Sequence, residues 1–149
     1  MSKIKLLILD YSVDQFETEL LESCVASEIE KMSLHITSEE SFPEDILNQG
    51  FTHIIHSGSS LSINETAPFT IRAIELIHWA KNQGIWQMGI CYGHQLIALA
   101  LVGKQAVCSA PNGFEAGWIK AQFSKNAQQL FDIQEFEKVW QHHFDDVIQ

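Results

Sequence analysis

Cys91 lies in the run Gln87-Met88-Gly89-Ile90-Cys91-Tyr92-Gly93-His94-Gln95, where a strand-like apolar stretch passes through Gly-x-Cys-x-Gly into a helix-forming segment. A strand-to-helix turn of that composition lifts one side chain above the edge of a sheet, as a nucleophile elbow does. The chemistry it suits is acyl transfer. A thiolate attacks a carbonyl carbon, and the first N–H past the nucleophile, that of Tyr92, donates to the developing oxyanion. The N-terminus of the helix opening near Gln95 favours the thiolate form. The flanking glycines permit a tight backbone and leave no Cβ to crowd a substrate. Cys24 falls in a helical pattern and Cys108 in a strand-like one, and both read as core thiols.

A cysteine nucleophile needs partners, and the segment Val139-Trp140-Gln141-His142-His143-Phe144-Asp145-Asp146-Val147 offers them. His143, with Asp145 two residues on, could complete a Cys-His-acid triad in which His143 is the base. His35, His53, His56 and His78 fall in strand or helix patterns, where a satisfied structural histidine is the usual outcome. They lack the spacing of a metal cluster, so neither a metal nor a cofactor is expected.

These residues must be held by a single domain, because 149 residues bury one real core. A hydrophobic content of 46% with 19% charged residues describes an ordinary globular chain. The net charge of -10, with few and scattered Lys and Arg, argues against nucleic-acid binding, which wants a basic patch. Three cysteines without C-x-x-C spacing fit free thiols in a reducing compartment. The apolar run after Met1 is too short for a signal segment, and no stretch reaches membrane-spanning length. A cytoplasmic location without membrane association is the expectation.

Residues 4–9 form a continuous Ile/Leu run, the signature of a strand buried on both faces. Helical spacing over 14–30, 68–83 and 95–101 alternates with strand patterns at 33–37, 51–56 and 85–89. A short helix is expected at 42–47, entered through Pro43. Beyond Gly103 the pattern turns to strands at 105–108, 117–123 and 137–142. This order predicts a flavodoxin-like, doubly wound α/β fold: a mostly parallel sheet with helices on both faces and a small antiparallel addition.

The elbow Gly89-Ile90-Cys91-Tyr92-Gly93-His94-Gln95 resembles that of the class I glutamine amidotransferases, stand-alone type, similar to the amidotransferase domain of GMP synthase. The resemblance covers nearly the whole chain. His53-Ile54-Ile55-His56-Ser57-Gly58-Ser59 looks like the family segment that supplies a second oxyanion donor, which places that role on Ser59 beside Gly58. Many members carry glycine where this chain has Ser59, and a serine would be costly there if the site demanded positive φ. Val102-Gly103-Lys104 resembles the family's Gly-Gly-Lys. The loop Asn112-Gly113-Phe114-Glu115-Ala116-Gly117-Trp118 looks like the one beside bound glutamine. By that likeness Gln95 helps hold substrate, and Glu115 receives its ammonium.

The same resemblance gives residues 142–145 a second reading. Family members carry an earlier Ser-His-x-Asp-like segment and a later His-Pro-Glu one, and the later one supplies the catalytic pair. The segment here resembles the earlier one, whose backbone meets the substrate's α-amino and carboxylate ends through the positions of His142, His143 and Phe144. On that reading the family's His-Glu pair has no counterpart in residues 1–149, and His94 is not at the position of the base. The implied activity is hydrolysis of the side-chain amide of glutamine, or of a γ-glutamyl amide, through a Cys91 thioester. Impaired turnover is expected of this form. The implied partner is a separate synthetase that accepts ammonia. A non-catalytic glutamine-binding or regulatory module and a γ-glutamyl peptidase or hydrolase are the alternatives. An uncovered sheet edge and apolar face predict low stability or self-association.

Overall fold

The structure, a computed structural model, describes residues 3–13 and 16–148. Four parallel strands form the main sheet in the order β2-β1-β3-β4. The interior strand β1 (Lys5–Asp10) is buried from Leu6 onward, as its unbroken apolar run requires. It pairs with β2 (Glu30–His35) from Lys5 opposite Glu30 to Asp10 opposite His35. On its other side lies β3 (His53–His56), with Leu9 opposite His56, and β3 in turn pairs with β4 (Trp86–Gly89). The sequence therefore reverses direction across the sheet between β1 and β3, and a crevice opens there at the carboxyl ends of the strands.

Helix α1 (Phe16–Ser23) is shorter than its periodicity predicts, and the start expected at Asp14 lies outside the described residues. Its chain leaves the helix where Cys24 N–H reaches the Leu20 and Leu21 carbonyls, and Glu30 already sits in the ladder with β1. Parallel pairing claims those residues, and Lys3 and Lys5 approach Glu30 at 3.0 and 3.3 Å. The tertiary ladder wins over continued helical spacing. Cys24 is consequently an exposed turn residue and not a core thiol, and Cys108 is half-buried.

The helix expected at 42–47 resolves into two 3-10 turns, Glu39–Ser41 and Ile46–Asn48, separated by Pro43. Helix α2 (Thr70–Asn82) follows the loop after β3, and α3 (Tyr92–Val102) begins directly after Cys91. The strand pattern at 105–108 begins as a 3-10 turn and then becomes β5 (Val107–Ser109). Antiparallel β6 (Glu115–Gln122) and β7 (Phe136–His143) make a two-stranded ribbon, and β5 pairs with β8 (Asp145–Val147). Helix α4 (Lys125–Phe131), capped by the Ser124 hydroxyl accepting from Ala127 N–H, connects the ribbon's strands. Neither α4 nor β8 is apparent from periodicity, because α4 is two exposed turns and β8 is only three residues long.

Leu7, Leu9 and Ile54 point from the sheet into one core with Ala73, Leu76, Ile77 and Ala80 of α2 and Tyr92 and Leu96 of α3. Strand alternation sends Leu6 and Ile8 to the opposite face, where α1 packs near β1. Edge strand β4 carries the exposed Trp86 and Met88. No helix among the described residues is long and apolar enough to cross a membrane.

Within the core, His56 is completely buried. Gln87 Nε2 donates to the Ile77 carbonyl at 3.1 Å, which leaves Oε1 to accept from His56 Nε2 at 3.2 Å. Tyr11 hydroxyl then donates to His56 Nδ1 at 2.9 Å. The ring is a neutral Nε2–H tautomer, and burial pulls its pKa down to about 4. The unfolded chain titrates near 6.5, so it binds this proton first. His56 therefore contributes no penalty above pH 6.5, and stability falls as pH drops from about 6.5 to about 4, by roughly 3 kcal/mol in total. Urea titrations across that range are expected to show the loss, and His56→Gln should flatten it.

Candidate active site

Three strand ends converge around Cys91: the chain after β1, the loop Ser57-Gly58-Ser59 after β3, and the elbow after β4. Cys91 has φ +48° and ψ −110°, a backbone conformation that L-residues rarely adopt. Such strain persists only where the surroundings over-determine it. Here Ile90 N–H donates to the His56 carbonyl and Gly93 N–H to the Ser57 carbonyl, both at 2.9 Å. Tyr92 is fully buried and packs its ring against Tyr11 and Phe69 at centroid distances of 5.9 and 6.2 Å. The elbow is thus pinned from both sides, and the Cys91 thiol is thrown outward into the crevice.

Two backbone N–H groups lie near that sulfur and favour its thiolate, one from Tyr92 and one from Ser59. They come from different loops and belong to the two residues at which the motif and the resemblance expect oxyanion donors. Ser59 holds its place without positive φ, so serine costs nothing there. Burial nevertheless pushes the Cys91 thiol above its ordinary value. Glu17 adds to this, and the two N–H groups offset only part. Sγ also lies 3.6 Å from the His142 carbonyl.

The loop that brings Ser59 to the sulfur is anchored by residues that motif reading missed. Ser57 Oγ accepts from Tyr11 N–H at 2.8 Å and donates to the Gly58 carbonyl at 2.8 Å. Asp10, completely buried at the end of β1, accepts from Ser12 N–H at 2.8 Å, from Thr18 N–H at 2.9 Å and from the Thr18 hydroxyl. Burial raises the Asp10 carboxyl, but these hydrogen bonds outweigh it and hold the pKa below the usual range. An aspartate ending an apolar strand was the available signal.

Residues 142–145 show why a histidine two residues from an aspartate is not enough. The Asp145 carboxylate is buried and faces another loop, accepting from Ser62 hydroxyl at 2.6 Å, Ile63 N–H at 3.0 Å and Asn64 Nδ2 at 2.6 Å. It is therefore not the acid that orients His143. His143 Nδ1 lies 3.2 Å from both the Asp145 carbonyl and Asp146 Oδ1. Its Nε2 faces Gln141 Oε1 at 3.5 Å and Glu115 at 4.0 Å, so both nitrogens are engaged by groups other than Cys91. The His142 ring packs edge-on against Phe114, and Phe144 contacts the same ring.

Gln95 and Glu115 are likewise tied into the frame. Gln95 Nε2 donates to the Asp145 carbonyl at 2.5 Å, and Glu115 accepts from Asn112 Nδ2 and Gln141 Nε2 at 3.1 and 3.2 Å. Gln95, His142, His143, Phe144 and Asp145 line one small cleft with Ser59 and Cys91. Glu115 lies behind His143. Among the described residues, no group of three or more His, Cys, Asp or Glu side chains could hold a metal. Asp145→Ala should cost about 2–4 kcal/mol, since it strands three donors that the carboxylate satisfies. A lowered denaturant midpoint at unchanged slope would register it.

Comparison with known proteins converges on one family. The family profile described as glutamine amidotransferase class-I matches residues 7–149. A Saccharomyces cerevisiae protein that carries the name of a glutamine amidotransferase is 29% identical over 125 residues, which are 80% of this chain and 48% of that protein. The chain thus spans about half the length of that curated relative. A glutamine amidotransferase from Thermotoga maritima superposes with a TM-score of 0.76 at 19% identity, over 98% of this chain and 63% of its own. A GMP synthase subunit protein from Thermoplasma acidophilum superposes with a TM-score of 0.67 at 20% identity, over 99% of this chain and 68% of its own.

Proposed function

Because the chain belongs to the class I glutamine amidotransferase family, we propose that it cleaves the side-chain amide of glutamine, or of a γ-glutamyl amide, through a thioester on Cys91. The observation that carries this reading is the strained Cys91 elbow, φ +48°, set in one cleft with the Gly58–Ser59 loop, with the N–H groups of Tyr92 and Ser59 near the sulfur. Donors that meet at a nucleophile from two loops are placed for the oxyanion that forms one bond away. Sγ attacks the amide carbon, the C–N bond breaks and the amine leaves with a proton. Water then hydrolyses the thioester to glutamate and the free thiol. The glutamyl portion is assigned to the cleft of Gln95 and residues 142–145. A separate synthetase that consumes the ammonia belongs to the same proposal.

The thiol is the slow point. It is held above its ordinary pKa, and the nitrogens of His143 are occupied elsewhere. Turnover of these residues by themselves is expected to be slow at neutral pH. That raised thiol is also the one observation that favours a second reading, a glutamine-binding module without catalysis. A diazoketone analogue of glutamine separates the two. Covalent addition of one equivalent to Cys91, blocked by excess glutamine, supports the hydrolase. Reversible glutamine binding with an unmodified Cys91 supports the module.

A further inference from the structure

Cys91 stands at the meeting of clefts on two sides, and only one side is used by the glutamyl assignment. The other is a cleft of about 390 Å³ that shares Ser59, Cys91 and His142 with the first and extends to Ser12, Val13 and Glu17 on the β1–α1 side, to Gly58 and to Trp140 of β7. A departing ammonia is about the size of a water molecule, whose share of liquid volume is ~30 Å³. The cleft is an order of magnitude larger and falls in the range of small-molecule sites. Its walls are not neutral. The Glu17 carboxylate reaches to where a Cβ on Gly58 would lie, 2.9 Å from Oε1, so a side chain at position 58 would push it away. Trp140 adds a half-exposed indole, and a carboxylate with an aromatic face is a combination that receives organic cations.

We propose that this cleft is a leaving-group subsite, and that the preferred substrate is a γ-glutamyl amide whose amine portion carries a second, cationic nitrogen held by Glu17 and Trp140. The inference rests on the hydrolase reading above and names the substrate class of that same site. The reaction is balanced by water alone: the γ-glutamyl C–N bond breaks, the amine departs protonated, and water restores the thiol by releasing glutamate. The arrangement also suits the nucleophile. Burial is the larger cause of the raised Cys91 thiol and Glu17 charge the next side-chain contributor. A bound cation between carboxylate and sulfur offsets the second, so the correct substrate helps to form its own thiolate.

Calorimetry on Cys91→Ser, which binds without turnover, tests the subsite with three ligands: glutamine, γ-glutamyl-1,4-diaminobutane and its uncharged isostere γ-glutamyl-pentylamide. The cationic amide is expected to bind about tenfold tighter than the isostere, the size of one charge-assisted contact. In the Cys91→Ser, Glu17→Gln double variant that preference should vanish while glutamine affinity stays within about twofold. Equal affinity for the two amides, with glutamine still bound, overturns the subsite alone. Equal weakening of glutamine and both amides by Glu17→Gln would assign Glu17 to the substrate's own ammonium and overturn it as well. Binding of none of the three overturns the hydrolase reading and the subsite with it.

Discussion

Replacing Cys91 with alanine is expected to bring the slow glutamine or γ-glutamyl amide hydrolysis of this protein down toward the solution background. The loss should appear in kcat with little change in substrate affinity. The sulfur forms the bond that breaks the amide, whereas the cleft of Gln95 and residues 142–145 remains intact. A companion measurement follows from the raised thiol. Alkylation of Cys91 by uncharged iodoacetamide should be slow at neutral pH and climb only on the alkaline side of an ordinary thiol. Rapid alkylation at pH 7 in the free protein would show that a proton acceptor or cation already sits beside Sγ. Unaltered hydrolysis in Cys91→Ala would end the thioester mechanism.

Gly93→Ala should be one of the most damaging glycine substitutions among the described residues. A Cβ at position 93 would overlap the His56 carbonyl oxygen and lie 2.6 Å from the His56 carbonyl carbon, and these are backbone atoms of an interior strand. The approach is close because Gly93 N–H bonds the Ser57 carbonyl, holding the first turn of α3 onto the end of β3. Relief requires either breaking that bond or shifting β3, and overpacking of this kind costs about 3 kcal/mol or more. Thermal unfolding should move down by several degrees or more, since about 1 kcal/mol is worth ~2–4 °C in a domain of this size. Diazoketone labelling of Cys91 should fall with it, because the Tyr92 N–H is carried on the same turn. Gly84→Ala is the control: it faces open space and is strained only by its φ of +69°, so it should cost far less.

The order of elements was readable because the physics that sets it is local. The apolar run at 4–9, the helical spacing of 68–83 and the Gly-x-Cys-x-Gly turn each encode one element and its burial. Elements became unreadable where tertiary pairing overrode periodicity. Residues 24–30 follow a helical pattern, yet β1 recruits Glu30 into its ladder. Asp145 is the sharper case at the site. In sequence it is the natural acid for His143, but its carboxylate is claimed by the donors of residues 62–64, more than 80 positions away in the chain.

By itself, the sequence determined the nucleophile and its turn. Cys91 between two close-packed glycines at a strand-to-helix junction has a short-range cause that any reader of the chain can trace. Only the tertiary structure decided what surrounds the sulfur. The second N–H arrives on the Ser57–Ser59 loop, held where Tyr11 N–H donates to Ser57 Oγ across 46 residues of chain. Glu17 arrives from another helix and works against the thiolate. Hydrogen bonds and charge act through space at a few ångströms, and their partners are assembled by the sheet order, which spacing along a chain does not encode.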